Sequence, residues 1–143
     1  MTPNLRIGSI DDIEELVIMN IALRTDEEID NVMTNSEVKE RMVGFITGKE
    51  YKAYILEINE KSIVGYGLID ITRNPIYLRQ LFIKKEYRNK GFGKLIINEI
   101  MKINNSNSID IEVMYWNEEA IKFYDNIGFK KRYLGMRQEQ NNN

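Results

Sequence analysis

Two hydrophobic periods alternate along the chain. After a short apolar start at Leu5–Ile7, Ile13, Leu16, Val17 and Leu23 recur at helical spacing. Ser9 and Asp12, three residues apart, suit a capping box at that helix's start. A polar, acidic stretch from Thr25 to Asn31 follows. A second helix is then predicted, capped by Thr34 and Glu37, carrying Val38, Met42, Phe45 and Ile46 on one stripe and ended by Gly48. The period then changes. Tyr51–Ile58 and Ser62–Thr72 are β-rich runs joined by Asn59-Glu60-Lys61 as a hairpin, and after a turn at Arg73-Asn74-Pro75 a third run covers Ile76–Ile83. Helical spacing returns from Gly91 through Leu95, Ile96, Ile100 and Ile103, and Asn104–Ser108 is a polar break. Ile109–Trp116 reads as a strand. Asn117 then caps a short helix with Ala120, Ile121, Phe123, Tyr124 and Ile127, stopped by Gly128. Phe129–Arg137 predicts a last strand, and residues 138–143 a frayed tail.

This order gives an α/β (α+β) chain whose mixed, mainly antiparallel sheet is flanked by helices. No repeat or linker interrupts residues 1–143, so one domain is expected. Composition narrows the chemistry. Net charge is -2 and the pI about 5.4, which argues against a nucleic-acid surface. No apolar run is long enough for a membrane span and no signal-peptide layout opens the chain, so a cytoplasmic protein without a membrane partner is expected. The sequence holds no Cys and no His, which removes disulfides, thiol nucleophiles, imidazole catalysis and Cys/His metal sites; no metal is expected. Carboxylates, Tyr, Lys, hydroxyls, backbone amides and water remain.

The segment Arg88-Asn89-Lys90-Gly91-Phe92-Gly93-Lys94 places two glycines and three cations where a strand gives way to a helix. A helix's first turn leaves amide N–H groups without partners and carries partial positive charge. Bare glycine backbone there forms a cradle for a phosphate. Other phosphate loops fit worse. Lys94 is followed by Leu95 rather than Ser or Thr, and position 96, where a dinucleotide fingerprint needs its third glycine, is Ile.

"QLFIKKEYRNKGFGKLIINEIM" resembles the cofactor-binding motif of the GNAT superfamily of N-acetyltransferases, Gln/Arg-x-x-Gly-x-Gly/Ala, with Arg88, Gly91 and Gly93 at its defined positions. "YWNEEAIKFYDNIGF" resembles the family's next motif, and "LRIGSIDDIEELV" its opening. The resemblance implies acetyl-CoA between two splayed strands, its pyrophosphate on the amides of Arg88, Asn89, Lys90, Gly91, Phe92, Gly93 and Lys94. It implies main-chain pairing of the pantetheine arm along Leu81, Phe82 and Ile83, one of whose amides would polarise the thioester carbonyl. Asn117 matches a residue that contacts the cofactor arm, with a plain helix cap as the alternative. Tyr124 matches the general acid that protonates the departing thiolate; the plainer alternative is a packed aromatic.

The base is not given by the motif. Many relatives carry a Glu on the strand before the loop, where this chain has Arg79 and Gln80. Asp70, near a strand end, is the preferred carboxylate, with Glu112 and a water chain as alternatives. The acidic run Asp26–Asp30 either attracts a cationic amine or is a solvated face. Tyr51, Tyr54, Tyr66 and Tyr77 either line a pocket or pack as strand residues. The implied activity is acetyl transfer by direct attack of a small-molecule or peptide amine, with a homodimer left open. The rival is a non-catalytic acyl-CoA-binding sensor or interaction module on the same fold.

Overall fold

Both capping boxes form. In a computed structural model, which describes residues 2–59 and 61–140, Ser9 N donates to Asp12 Oδ2 at 2.8 Å and the Ser9 side chain accepts from Asp11 N at 3.3 Å. The box closes a single 3-10 turn, Ile10–Asp12, which leads into α1, Ile13–Asp26. Thr34 and Glu37 exchange the equivalent bonds, at 3.0 and 3.1 Å, at the start of α2, Asn35–Thr47. The remaining elements are β1 (Asn4–Ile7), β2 (Tyr51–Ile58), β3 (Ser62–Asp70), β4 (Ile76–Ile83), α3 (Phe92–Ile103), β5 (Ile109–Ile111) and α4 (Glu118–Asn126). The hairpin turn between β2 and β3 includes residue 60, which lies outside the described residues, as do 141–143 of the tail.

The five strands lie in the order β1-β2-β3-β4-β5. The first four are antiparallel neighbours, and β5 joins β4 in parallel. Alternation along each strand splits the core in two. Leu16 and Met19 of α1 and Met42 of α2 cover Ile55, Tyr66, Leu68 and Phe82 on one face. Ile96, Ile97 and Ile100 of α3 cover Leu56, Val64, Ile69 and Leu78 on the other. Each such side chain, fully buried, contributes about 1.5–3 kcal/mol.

One irregularity organises the functional side. Leu68 pairs with Gln80, but the next residue, Ile69, pairs with Leu78. Arg79 is therefore an extra residue, a bulge that bends β4. Pairing with β5 stops at the same level: Leu78 and Ile111 are the last partners, while β4 continues to Ile83. The two strands part there, and among the described residues no strand lies beside the β5-facing edge of Arg79–Ile83.

Two expected strands are corrected by this geometry. Only Ile109–Ile111 of the predicted Ile109–Trp116 strand joins the sheet, because the bulge carries β4 away from it. Phe129–Arg137 forms no ladder. Phe129 N bonds back to Tyr124 O at 3.0 Å, closing α4, and the cations Lys130, Lys131 and Arg132 that follow are exposed rather than alternating in and out. β3 also ends at Asp70, two residues before the expected Thr72.

Candidate active site

The opening between β4 and β5 is bounded by three helix ends. α3 starts where β4's connection ends. Gly91, its N-cap, has φ +82°, a left-handed conformation that side chains disfavour. No side chain caps this helix and no acid lies in its first turn, so its leading amides are unpaired. Lys90 and Lys94 are exposed beside them. Gly93 has a packing reason to be bare as well. A Cβ there would lie 2.8 Å from the Phe123 ring of α4, so this glycine lets the two helices touch.

Arg88 does not reach toward the amide cradle. Its Nε donates to Ile83 O at 2.8 Å and its Nη2 to Asp26 Oδ2 at 2.8 Å, with the guanidinium 5.3 Å over the Phe82 ring. It thus ties the connection after β4 to the C-terminal end of α1. The connection after β5 is tied to the same end, where Trp116 Nε1 donates to Glu27 O at 3.2 Å. α1 therefore bridges both sides of the gap. Leu81 and Ile83 pair with Gly67 and Gly65 of β3, whereas the Phe82 side chain is buried under α1.

Asn117 caps α4, accepting from Ala120 N at 3.2 Å. That helix presents Tyr124, whose ring packs edge-on against Phe123 and Phe129 at 5.0 and 5.2 Å. Enclosure raises the phenol's pKa, and the charges of Glu27 and Tyr77 add to the effect. Glu27, just past the end of α1, is itself raised: burial disfavours its carboxylate and Asp26 adds to this, against Arg24. The partly desolvated Glu27 carboxyl thus lies within electrostatic reach of the Tyr124 phenol and of the Tyr66 phenol.

Asp70 is placed differently. Its Oδ1 accepts from Thr72 N at 2.9 Å and Thr72 Oγ1 at 2.6 Å, and Arg73 Nε lies 3.5 Å from Oδ2. Burial opposes its charge, but Thr72, Glu50 and Arg73 together outweigh that and hold its pKa below the ordinary value. Those bonds serve the β3–β4 turn.

A buried polar chain crosses the sheet's covered face, and the residue pattern alone did not reveal it. Arg41 Nη2 donates to Asn20 Oδ1 at 3.2 Å, Asn20 Nδ2 to Tyr66 Oη at 3.1 Å, and Tyr66 Oη to Gln80 Oε1 at 2.7 Å. Tyr66 is fully buried, and its hydroxyl fixes the Gln80 carboxamide next to the bulge. The available signal was a polar residue inside an apolar stripe, Asn20 between Leu16, Met19 and Leu23. Among the described residues no group of His, Cys, Asp or Glu could hold a metal ion, and no helix is long and apolar enough to cross a membrane.

A parted parallel strand pair beside a glycine-opened helix is what the acetyltransferase resemblance implied. The acetyltransferase (GNAT) domain family model matches residues 14–142, and the chain belongs to that family. It is 31% identical to thialysine N-epsilon-acetyltransferase of Sus scrofa over 74 residues, 46% of this chain and 44% of the relative. It is 25% identical to spermidine N(1)-acetyltransferase of Thermoplasma acidophilum over 144 residues, 91% of this chain and 89% of the relative. The solved structure of a possible acetyltransferase from Clostridium difficile 630 superposes with TM-score 0.79 at 18% identity, covering 98% of each chain. The match to the Sus scrofa enzyme thus spans less than half of that protein.

Proposed function

We propose that this chain transfers acetyl from acetyl-CoA to a primary amine that approaches from the α1–α2 side. The unpaired run of β4 leading into the uncapped amides of α3 carries this reading. It offers an extended main chain for a pantetheine arm and, at its end, an anion cradle of the right chemistry for a pyrophosphate. When bound there, acetyl-CoA supplies an activated acetyl thioester. Leu81 to Ile83 would hold its arm through the main chain, the amides of Gly91 to Lys94 its phosphates, and the Asn117 carboxamide would add a contact beyond its capping bond.

Glu27, rather than Asp70, is the proposed base. Its raised pKa brings its proton affinity closer to neutrality, and it lies within electrostatic reach of Tyr124, whereas the Asp70 oxygens are engaged at the turn. An amine would pass its proton to Glu27, directly or through one water, as nitrogen attacks. A β4 amide would stabilise the oxygen that gains charge. Tyr124 would donate a hydrogen bond to the departing sulfur. Its raised pKa keeps the phenol protonated but also makes it a reluctant acid, so donation to a growing thiolate matters more than early proton release.

The observation favouring the sensor alternative is Gln80, a neutral amide on the strand where the resemblance implies a Glu in many family members. A thiol-release assay with acetyl-CoA and a panel of amines separates the two. Amine-dependent release supports transfer. Tight CoA binding without release by any amine supports the sensor.

A further inference from the structure

The wall of the site formed by α2, β2 and the β4 bulge carries the guanidinium groups of Arg41 and Arg79. Phe45 of α2 and Tyr51 of β2 form an aromatic pair with centroids 4.6 Å apart. Two guanidinium groups flank the same Phe45 ring, Arg41 at 5.6 Å and Arg79 at 5.3 Å. Arg79 is the bulge residue, so the irregularity that parts β4 from β5 also aims this side chain toward α2. It is held there by a 3.1 Å bond from Nη1 to Tyr51 Oη. Arg41, at the foot of the buried polar chain, borders a cavity of about 450 Å³ that Phe45, Lys49, Glu50 and Tyr51 also line.

Among the described residues, no carboxylate lies within ion-pair distance of Arg24, Arg41 or Arg79. Burial works against the Arg41 charge, and Arg24 and Arg79 add to this. Glu50 lines the same cavity and attracts Arg79, but the largest influence on its carboxyl is hydrogen bonding with Asp70, which raises its pKa. Arg41, half-buried, and Arg79, exposed, thus flank one aromatic ring with no carboxylate in ion-pair contact with either. For Arg41, whose burial opposes its charge, a bound anion would offset that cost.

We propose that Arg41 and Arg79 form a subsite for a carboxylate on the acceptor, so that the substrate is an amino-acid-like amine with its reacting primary amine at the end away from that carboxylate. A carboxylate is the anion that two planar guanidinium forks receive best. Phe45 and Tyr51 hold those forks in place and pack the aliphatic part of the acceptor. At the other side of the site, Glu27 meets the amine. A carboxylate receiver and a base in one site suit a zwitterion better than a simple polyamine. The inference rests on the transferase reading and narrows its acceptor.

Matched pairs that differ only in the carboxylate give the test: lysine against cadaverine, and ornithine against putrescine. Thiol release and calorimetric titration in the presence of CoA are both measured, for the wild type, Arg79→Gln and Arg41→Gln. The wild type is expected to favour the diamino acid of at least one pair by about 10- to 100-fold in KM or Kd, the range of a charge-assisted bond. In each variant that ratio should collapse toward one. A generally damaged fold would weaken both members of a pair and leave the ratio in place. Diamines bound and used as well as diamino acids, or a ratio untouched by both substitutions, would overturn the proposal. Calorimetric preference for the diamino acid without thiol release would sink the transferase reading alone and leave the subsite standing.

Discussion

The β2–β3 and β4–β5 pairs begin as similarly apolar strands and end differently. β2 and β3 pair along the whole of Tyr51–Ile58, with Ile55, Leu56, Val64, Tyr66 and Leu68 all at 0% exposure. β4 and β5 pair only over Ile76–Leu78 and Ile109–Ile111. The first pair satisfies its own backbone and fills two cores. The second leaves main chain and helix-end amides at one gap, and α1 brings the partly desolvated Glu27 to its side. Stability resides where pairing is complete, and chemistry is offered where it stops.

The sharpest way to break this contrast is at Tyr124. Tyr124→Phe keeps the ring between Phe123 and Phe129 but removes the donor. It should lower kcat by about 10²–10⁴-fold while CoA affinity and Tm hold. A kcat within a few-fold of wild type at saturating amine would return Tyr124 to a packing role. The mirror experiment is Leu68→Ala in β3, with Leu68 fully buried. Denaturant unfolding should report a loss of about 2–5 kcal/mol, with kcat per folded molecule little changed. A variant as stable as wild type would mean that the complete ladder is not where stability lies.

The legibility of the sequence follows the same division. The bounds of β2 and β4 could be read from their residues because both strands are fixed by local alternation and nearby turns. The capping boxes at Ser9 and Thr34 are likewise local. The Ile109–Trp116 run failed because its length depends on a bulge some thirty positions away, at Arg79. Met114, Tyr115 and Trp116 look like strand residues, yet they lie in the connection after β5, with Tyr115 80% exposed. In the candidate site, the glycine-opened start of α3 was legible because helix-start chemistry is written in consecutive residues. Glu27 was not. Within Asp26-Glu27-Glu28 nothing marks one carboxyl as enclosed, and only the bonds from Arg88 and Trp116 assign Asp26 and Glu27 their separate positions. Gln80 was noticed as a missing acid, but its partner Tyr66 depends on strand register.

A pH comparison sharpens the distinction between the two carboxylates, with a smaller effect. Glu27 must be ionised to act as a base, so kcat/KM should fall as pH drops through a pKa above the ordinary Glu value of about 4.3. Glu27→Gln should remove that limb. Asp70 has a lowered pKa, so its contribution to stability is present above the ordinary Asp value of about 3.9 and is lost as pH falls through the folded one. Asp70→Asn should flatten acid unfolding and leave the kcat/KM profile in place. If Asp70→Asn instead abolishes the acidic limb and Glu27→Gln does not, the two roles are exchanged.

The central claim is that the gap's glycine end receives acetyl-CoA, and the CoA dissociation constant of Gly91→Asp tests it most directly. Gly91 is suited to this and Gly93 is not, since a Cβ at 91 meets nothing within 4 Å whereas one at 93 collides with Phe123. The substitution sets a carboxylate beside unpaired amides, in a left-handed conformation that Asp tolerates better than most residues. A folded Gly91→Asp protein is predicted to bind CoA at least about tenfold more weakly, the effect of losing one charge-assisted contact. Wild-type affinity in that folded variant would contradict the assignment of this helix end as the cofactor cradle.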